Sequence, residues 1–432
     1  MEYSELDERP ISKFILYATI LVGLGSFLDG YDLLNISIAL PFITRTMTIA
    51  ASMQGMLGTG TYLGGVAGAA LFGIFSDLRG RKTALIVDLV FFMAASLISA
   101  VISSPAQLLV LRIAIGFGIG ADIVSGPALL SELLPIKNRG KLLGTSLLMM
   151  PLGGLVSVVA AYFLYNLGIG APLIWRVIFA LGAIPAIIVI ILRSRLPESP
   201  RWLSKFGNSI KPSKEFKSST LSNYRHNYRL LAGKYKRALI YSSVAWFSAG
   251  TTSIFTIFSP MILEKFALKG YPQMIALTAT IWIAATGGAA VAIALHDTVG
   301  RKSLLITSII LLGLSDLLLG LAFTSNGYIM EAVLACAMFF SFMNISAAYV
   351  IQTEVFSTEI KGLADGISFT INRLANFAFG ISVPVLLALN IIKQFMWFTG
   401  IVVIAMAIIA LITGIETMGK GLEKIQQEVM LS

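Results

Sequence analysis

Seven ionisable side chains stand inside stretches that are otherwise apolar: Asp29, Asp32, Asp88, Arg112, Asp122, Asp316 and Arg373. A charge at mid-bilayer costs about 2.5–3.5 kcal/mol on insertion scales, so each needs a partner or a task. A carboxylate there can exchange a proton, because a nearby arginine lowers its pKa and desolvation raises it. At 1.5 Å per helical residue, Asp29 lies ~22 Å above the inner end of the first span and Arg112 ~10 Å below the outer end of the fourth. In a core ~30 Å thick the two share one depth. Asp32 is one turn above Asp29 on nearly the same face. Arg112 is therefore expected to pair with Asp29 or Asp32 and to be released by protonation, a static ion pair being the alternative. Asp122, ten residues before Glu132, is a candidate second proton site. Asp88 is expected to sit wet at the inner interface. Arg373, flanked by Asn372 and Asn376, could grip a carboxylate bidentately or pair with Asp316.

The elements that must position these groups follow from composition. Of 432 residues, 56% are hydrophobic and only 12% are charged, where soluble domains carry roughly 25% charged residues. A soluble enzyme is excluded. Twelve apolar segments of membrane-helix length are read: Phe14–Leu40, Met53–Phe75, Thr83–Ser103, Pro105–Leu134, Gly140–Asn166 and Leu173–Leu192, then Ala238–Leu263, Gln273–Leu295, Ser303–Phe323, Tyr328–Val355, Gly362–Leu389 and Gln394–Ile415. Placing the N-terminus inside puts 25 Lys and Arg on the inner side and 5 on the outer. The positive-inside rule then predicts a multi-pass plasma-membrane protein with both termini cytoplasmic. The formal net charge is +10, and the tract from Arg193 to Arg237, with twelve bases and two acids, holds all of it. It reads as a topology anchor against an anionic leaflet, so no nucleic-acid partner is expected. Cys336 is the single cysteine and there are two histidines, so no metal site or cofactor is expected.

The chain repeats itself. Asp77-Leu-Arg-Gly80-Arg81-Lys82 follows span two, and Asp297-Thr-Val-Gly300-Arg301-Lys302 follows span eight, 220 residues on. Glu132 to Arg139-Gly140 closes span four, and Glu354 to Lys361-Gly362 closes span ten, 222 on. Pro197-Glu198-Ser199 after span six matches Glu416-Thr417 after span twelve. This predicts two six-helix halves, 1–192 and 238–432, joined by the linker 193–237. Transporters built from parallel repeats place their site between the halves and rock around it.

The pattern resembles the major facilitator superfamily over essentially the whole chain. Gly73, Asp77, Gly80, Arg81 and Lys82 are similar to its loop signature; the second copy departs, with Ile293 in place of the first glycine. Arg112-x3-Gly116-x-Gly118-x-Gly120 resembles the motif of proton-coupled members. Pro197-Glu-Ser-Pro200-Arg201-Trp202-Leu203, with Trp175-Arg176 and Pro185, resembles the sugar-porter branch, and Asp29-Gly30-Tyr31-Asp32 the aromatic-acid and related metabolite symporters. Asp122 and Trp246-Phe247 resemble the phosphate:proton symporters, from which Ile123 and Gly250 depart. The resemblance implies an all-α, twelve-span protein working by alternating access.

A carboxylate at the inner end of a span can accept from a neighbouring helix N-terminus, whose dipole favours negative charge. Asp77, Arg81, Glu132, Arg139 and Glu198, mirrored by Asp297, Arg301, Glu354 and Lys361, are therefore expected to latch an inner gate. Simple orientation by snorkelling bases is the alternative. Candidate substrate residues are Tyr31, Asn35, Trp246, Asn344, Asn372, Asn376 and Arg373. Span seven offers Ser248, Thr251, Thr252 and Thr256 but no glutamine, which disfavours a sugar, whose hydroxyls need amide partners. The expectation is a monomeric, proton-coupled symporter of a small organic metabolite, a carboxylate favoured over a sugar. A sugar porter, an inorganic-anion symporter and a ligand sensor are the alternatives.

Overall fold

The computed structural model describes residues 10–200, 202–203, 226–264, 266, 270–323 and 326–431. Most of the basic tract, with Arg9, Arg201, Lys265 and Lys269, lies outside them. Regular structure among the described residues is helical. The spans are α1 Lys13–Thr46, α2 Ala51–Arg79, α3 Arg81–Ser99, α4 Pro105–Leu133, α5 Arg139–Asn166 and α6 Ala171–Arg193, interrupted at Gly182. Then come α7 Lys236–Ile257, α8 Tyr271–His296, α9 Arg301–Ala322, α10 Gly327–Val355, α11 Lys361–Ala388 and α12 Ile392–Thr413. A short amphipathic helix, α13 Leu422–Leu431, buries Leu422, Ile425 and Val429.

Eleven of these helices are long and apolar enough to cross a bilayer. The exception is α7, whose 22 residues include seven serines and threonines. Some of their hydroxyls bond back to the helix, as Ser248 does to Ala245 O at 2.9 Å and Thr251 to Ser248 O at 3.0 Å. The seventh span also breaks at Phe258 and resumes as Ser259–Glu264, rather than running unbroken to Leu263. The other boundaries move by a few residues, except that α1 extends past Pro41 to Thr46.

Helices of the first set pack as α1 on α5 and α2 on α4, and of the second as α8 on α10 and α9 on α12; α2 meets α11 and α5 meets α8 between the sets. Small residues set these distances, since apolar side chains gain nothing over lipid by associating. The four-residue stripe Gly60, Gly64, Gly68 lies on α4: a Cβ at Gly64 would overlap Ile113 O, and one at Gly68 would overlap Phe117 O. That close approach brings α4, with Arg112, toward α1. On the other side of α2, Gly73 abuts the backbone of Gly362 on α11.

Candidate functional site

The two inner-face motifs fold into two latches of one design, "inner" being the face that carries both described ends. Gly80 and Gly300 have φ of 97° and 95°, which only glycine adopts without strain, and each turns the chain straight into the next helix. The exposed N–H groups of that helix are then capped from a third element. Glu198 accepts from Arg81 N at 3.0 Å and Lys82 N at 3.1 Å; Glu416 accepts from Arg301 N at 3.0 Å and Lys302 N at 3.1 Å. Burial lifts the Glu198 carboxyl above its usual range, while the N–H groups of Ser199, Lys82 and Arg81 draw it back. Arg81 pairs with Asp77 and lies 3.7 Å from Glu132. Arg301 pairs with Asp297 at 2.9 Å and Glu354 at 3.3 Å. Ser199 donates to the second oxygen of Glu132, and Thr417 donates to the Glu354 oxygen that Arg301 approaches.

Each latch also reaches the opposite set. Asp77 accepts from Leu363 N in the first turn of α11, and Arg81 donates to Thr358 O at 3.2 Å. Asp297 accepts from Lys141 N in the first turn of α5 at 3.0 Å. Arg139 donates to Lys420 O at 3.4 Å and Lys361 to Ser131 at 3.2 Å. All nine expected gate residues thus meet on the inner face, in a closed arrangement. Four further members were not on that list: Ser199, Glu416, Thr417 and Trp202, whose indole donates to Asp77 O at 2.8 Å. The offset between Glu198-Ser199 and Glu416-Thr417 was the available signal for three of them.

Deeper in, Arg112 selects Asp32 and not Asp29. One guanidinium nitrogen lies 2.7 and 2.8 Å from the two Asp32 oxygens, and Thr61 donates to the same carboxylate at 3.3 Å. Arg112 is 0% exposed, yet its Nε and second Nη have no hydrogen-bond partner. Asp29, a 300° turn away on α1, faces elsewhere: the charges that act on it are Asp122, Arg373, Asp88 and Arg193. Asp122 is not free either. Arg193 holds it at 2.5 Å, lies 3.6 Å from Asp88, and donates to Leu21 O, Val22 O and Leu85 O. Two expectations are corrected here. Asp88 is 4% exposed rather than wet, because α6 brings an arginine to it. Arg193, counted with the basic linker, is 1% exposed and belongs to the helix core.

Between the two sets lies a cavity of about 50 Å³. Ligand pockets run to roughly 300–1,000 Å³, so this one is small. Its walls are aromatic, from Tyr62, Trp246, Trp282, Phe342 and Phe369, with Arg373, Asn372 and Asn376 on one side. Arg373 stacks 4.3 Å from the Phe369 centroid and 5.0 Å from that of Tyr62. It makes no ion pair with Asp316, which is bonded by Thr252 at 2.8 Å. The amides are largely occupied: Asn372 donates to Trp246 O at 2.7 Å, and Trp246 donates to Gln352 at 2.5 Å.

Three expected substrate residues do not line this cavity. Tyr31 donates to Ile178 O at 2.9 Å on α6, Asn35 accepts from Ser157 at 2.5 Å, and Asn344 donates to Ser248 at 2.9 Å. Each joins two helices within one set, the usual use of a polar group in lipid. Tyr62, Trp282, Phe342 and Phe369 were missed, because an aromatic in an apolar span carries no sequence mark that it faces a cavity.

The outer face is closed by rings. Tyr271 at the start of α8 stacks on Phe42 of α1 at 4.4 Å, with Arg45 4.2 Å from its ring centroid and Tyr165 of α5 at 5.8 Å. The latches thus lie on the inner side of the cavity and this ring cluster on the outer.

Comparison with known proteins agrees with this architecture. The model of the sugar (and other) transporter family matches residues 18–429. The arabinose-proton symporter of Bacillus subtilis (strain 168) is 25% identical over 448 aligned positions, covering 96% of this chain and 95% of that one. The inner membrane metabolite transport protein YgcS of Escherichia coli (strain K12) is 27% identical, over 85% of this chain and 84% of that protein. Among solved structures, the major facilitator superfamily proton:xylose symporter XylE bound to 6-bromo-6-deoxy-D-glucose superposes with a TM-score of 0.82 at 23% identity, over 96% of this chain and 99% of that one. A family match over nearly the whole length, on a fold of twelve helices around a central cavity, makes this chain a member of the sugar (and other) transporter family, a transport protein and not an enzyme.

Proposed function

We propose that the chain is a proton-coupled symporter of the sugar-porter type, acting as a monomer in the cell membrane with its inner face cytoplasmic. The two six-helix halves, 1–192 and 238–432, rock about the cavity, and the linker 193–237 joins them. The observation that carries this reading is the Asp32–Arg112 pair, sealed from solvent beside the cavity. Protonation of Asp32 removes the charge that holds Arg112 and frees α1 to shift against α4. The inner latches and the outer ring plug then open in turn.

The family match moves the substrate from the carboxylate expected from sequence to a sugar or related polyol, as carried by the arabinose and xylose relatives. Rings such as Trp246 and Trp282 suit the apolar faces of a sugar. One observation supports a carboxylate as a second reading: Arg373 faces the cavity with its Nε unpartnered. An inorganic phosphate would want more than one cation, and Arg373 is the single cation among the described lining residues. Uptake into proteoliposomes under an imposed pH gradient, across sugars and organic acids, tests the reading. Concentrative uptake of a sugar is expected. Uptake indifferent to the gradient would remove the coupling claim, ligand binding with no flux would favour a sensor, and accumulation of acids alone would establish the second reading.

A further inference from the structure

Asp316 has no place in the machinery described so far. It sits 15 residues into α9, ~22 Å above the inner end at 1.5 Å per residue, and is 0% exposed. Thr252 of α7 donates to its Oδ2 at 2.8 Å, and its Oδ1 has no hydrogen-bond partner. The elements packed on α9 bring it hydroxyls rather than charges. From α7 comes Thr252; from α12 comes Thr399, whose own proton goes to Met396 O. The cation of α12, Lys393, is engaged on the ring of Trp397, which packs on Gly320, one turn outward of Asp316. On α10, Glu331 bonds Thr280 and Glu354 belongs to the inner latch. Among the described residues no ion pair reaches Asp316. A carboxylate so buried and without a counter-ion is costly to keep ionised, so the site suits a group that takes up and gives up a proton.

Its position relates it to the coupling pair. The 220-residue offset of the loop motifs carries Asp32 onto Thr252, and the 222-residue offset carries Arg112 onto Leu334. The second half thus has a hydroxyl where the first has its coupling acid, and an acid from α9 bonded to that hydroxyl. Thr252 lies between Ala249 and Thr256, both of which line the cavity. A shift of α7 during transport would therefore change the hydrogen bond to Asp316 and open it to water.

Resting on the proton-coupled reading above, we infer that Asp316 is a second proton-binding site, in the C-terminal half, loaded and released as α7 moves. The test uses the full chain in proteoliposomes with arabinose or xylose, whichever the wild type accumulates, at a pH gradient of one unit. Each coupled proton is worth about tenfold in steady-state accumulation at that gradient. Asp316→Asn keeps the shape of the protonated acid and still accepts from Thr252. It is expected to accumulate about tenfold less than wild type while counterflow, which needs no net proton release, is unchanged. Infrared difference spectra on a pH jump, without solute, should show a protonated-carboxyl band that Asp316→Asn loses and Thr252→Val shifts. Wild-type proton coupling with equal accumulation and an identical band in Asp316→Asn would overturn this inference alone. Absence of coupling in the wild type would overturn the proposed function instead.

Discussion

The two halves handle buried charge in opposite ways. In the first, arginine meets acid: Arg112 holds Asp32, and Arg193 holds Asp122 with Asp88 close by. In the second, the deep charges stand apart. Arg373 is sandwiched by rings at the cavity wall, and Asp316 rests on a threonine hydroxyl. At the inner face the difference narrows: the helix caps match, at 3.0 and 3.1 Å in both, while Trp202 and the Arg81 bond to Thr358 O belong to the first latch. The repeat is thus preserved where the two sets meet at the inner face and lost deeper in, where the proposed function places solute and proton. On the proposed transport cycle both latches break and form together, which favours equal strength. A solute bound between the halves has no such symmetry, and one half can take the proton while the other faces the solute.

The largest effect should come from breaking the Asp32–Arg112 pair. Arg112→Ala leaves a buried carboxylate unpaired, at a cost of about 3–5 kcal/mol, and concentrative uptake should fall to background. Thermal unfolding in detergent should recover in Asp32→Asn/Arg112→Ala, while concentrative uptake should not. If the double variant still concentrates solute, the pair is only a structural brace.

An intermediate effect is expected at Arg373, and it tests whether the second half is the solute side. Hydrogen bonds to charged groups are worth about 1.5–3 kcal/mol. Arg373→Met should therefore weaken counterflow of an acid by roughly 10- to 150-fold if the guanidinium grips a carboxylate. For a neutral sugar the change should stay within a few-fold. Unaltered counterflow for every solute would remove Arg373 from the site.

The smallest effect tests the symmetry of the gates. Glu132→Gln and Glu354→Gln each weaken one latch by about 1–2 kcal/mol, the scale of a charge-assisted bond partly retained. Both should raise the inward-open population by a similar factor, read from spin labels across the inner ends of α4 and α10. Shifts that differ by more than tenfold would mean that the two latches, alike in geometry, are unlike in load.

How much of this was legible depends on the kind of signal. The inner latches could be read because a sharp turn needs Gly80 and Gly300, and because bases interleaved with acids at a fixed offset have few other uses. The choice of Asp32 over Asp29 could not be read. Both lie at suitable depth, and the outcome rests on how α1 turns against a face of α4 set by Gly60, Gly64 and Gly68. Arg193 was hidden by its place next to a run of exposed bases. Tyr31, Asn35 and Asn344 had the right chemistry for solute, but their partners on neighbouring helices claim them.

The sequence by itself determined the all-helical, twelve-helix plan, the twofold repeat and the residues that meet on the inner face. Those follow from hydropathy, charge count and spacing, which are properties of the chain taken one segment at a time. Only the tertiary structure decided which acid meets which arginine, which aromatics wall the cavity and which face of α8 closes the outside. A helix presents a new direction every 100° of turn, and packing alone selects the neighbour it meets there.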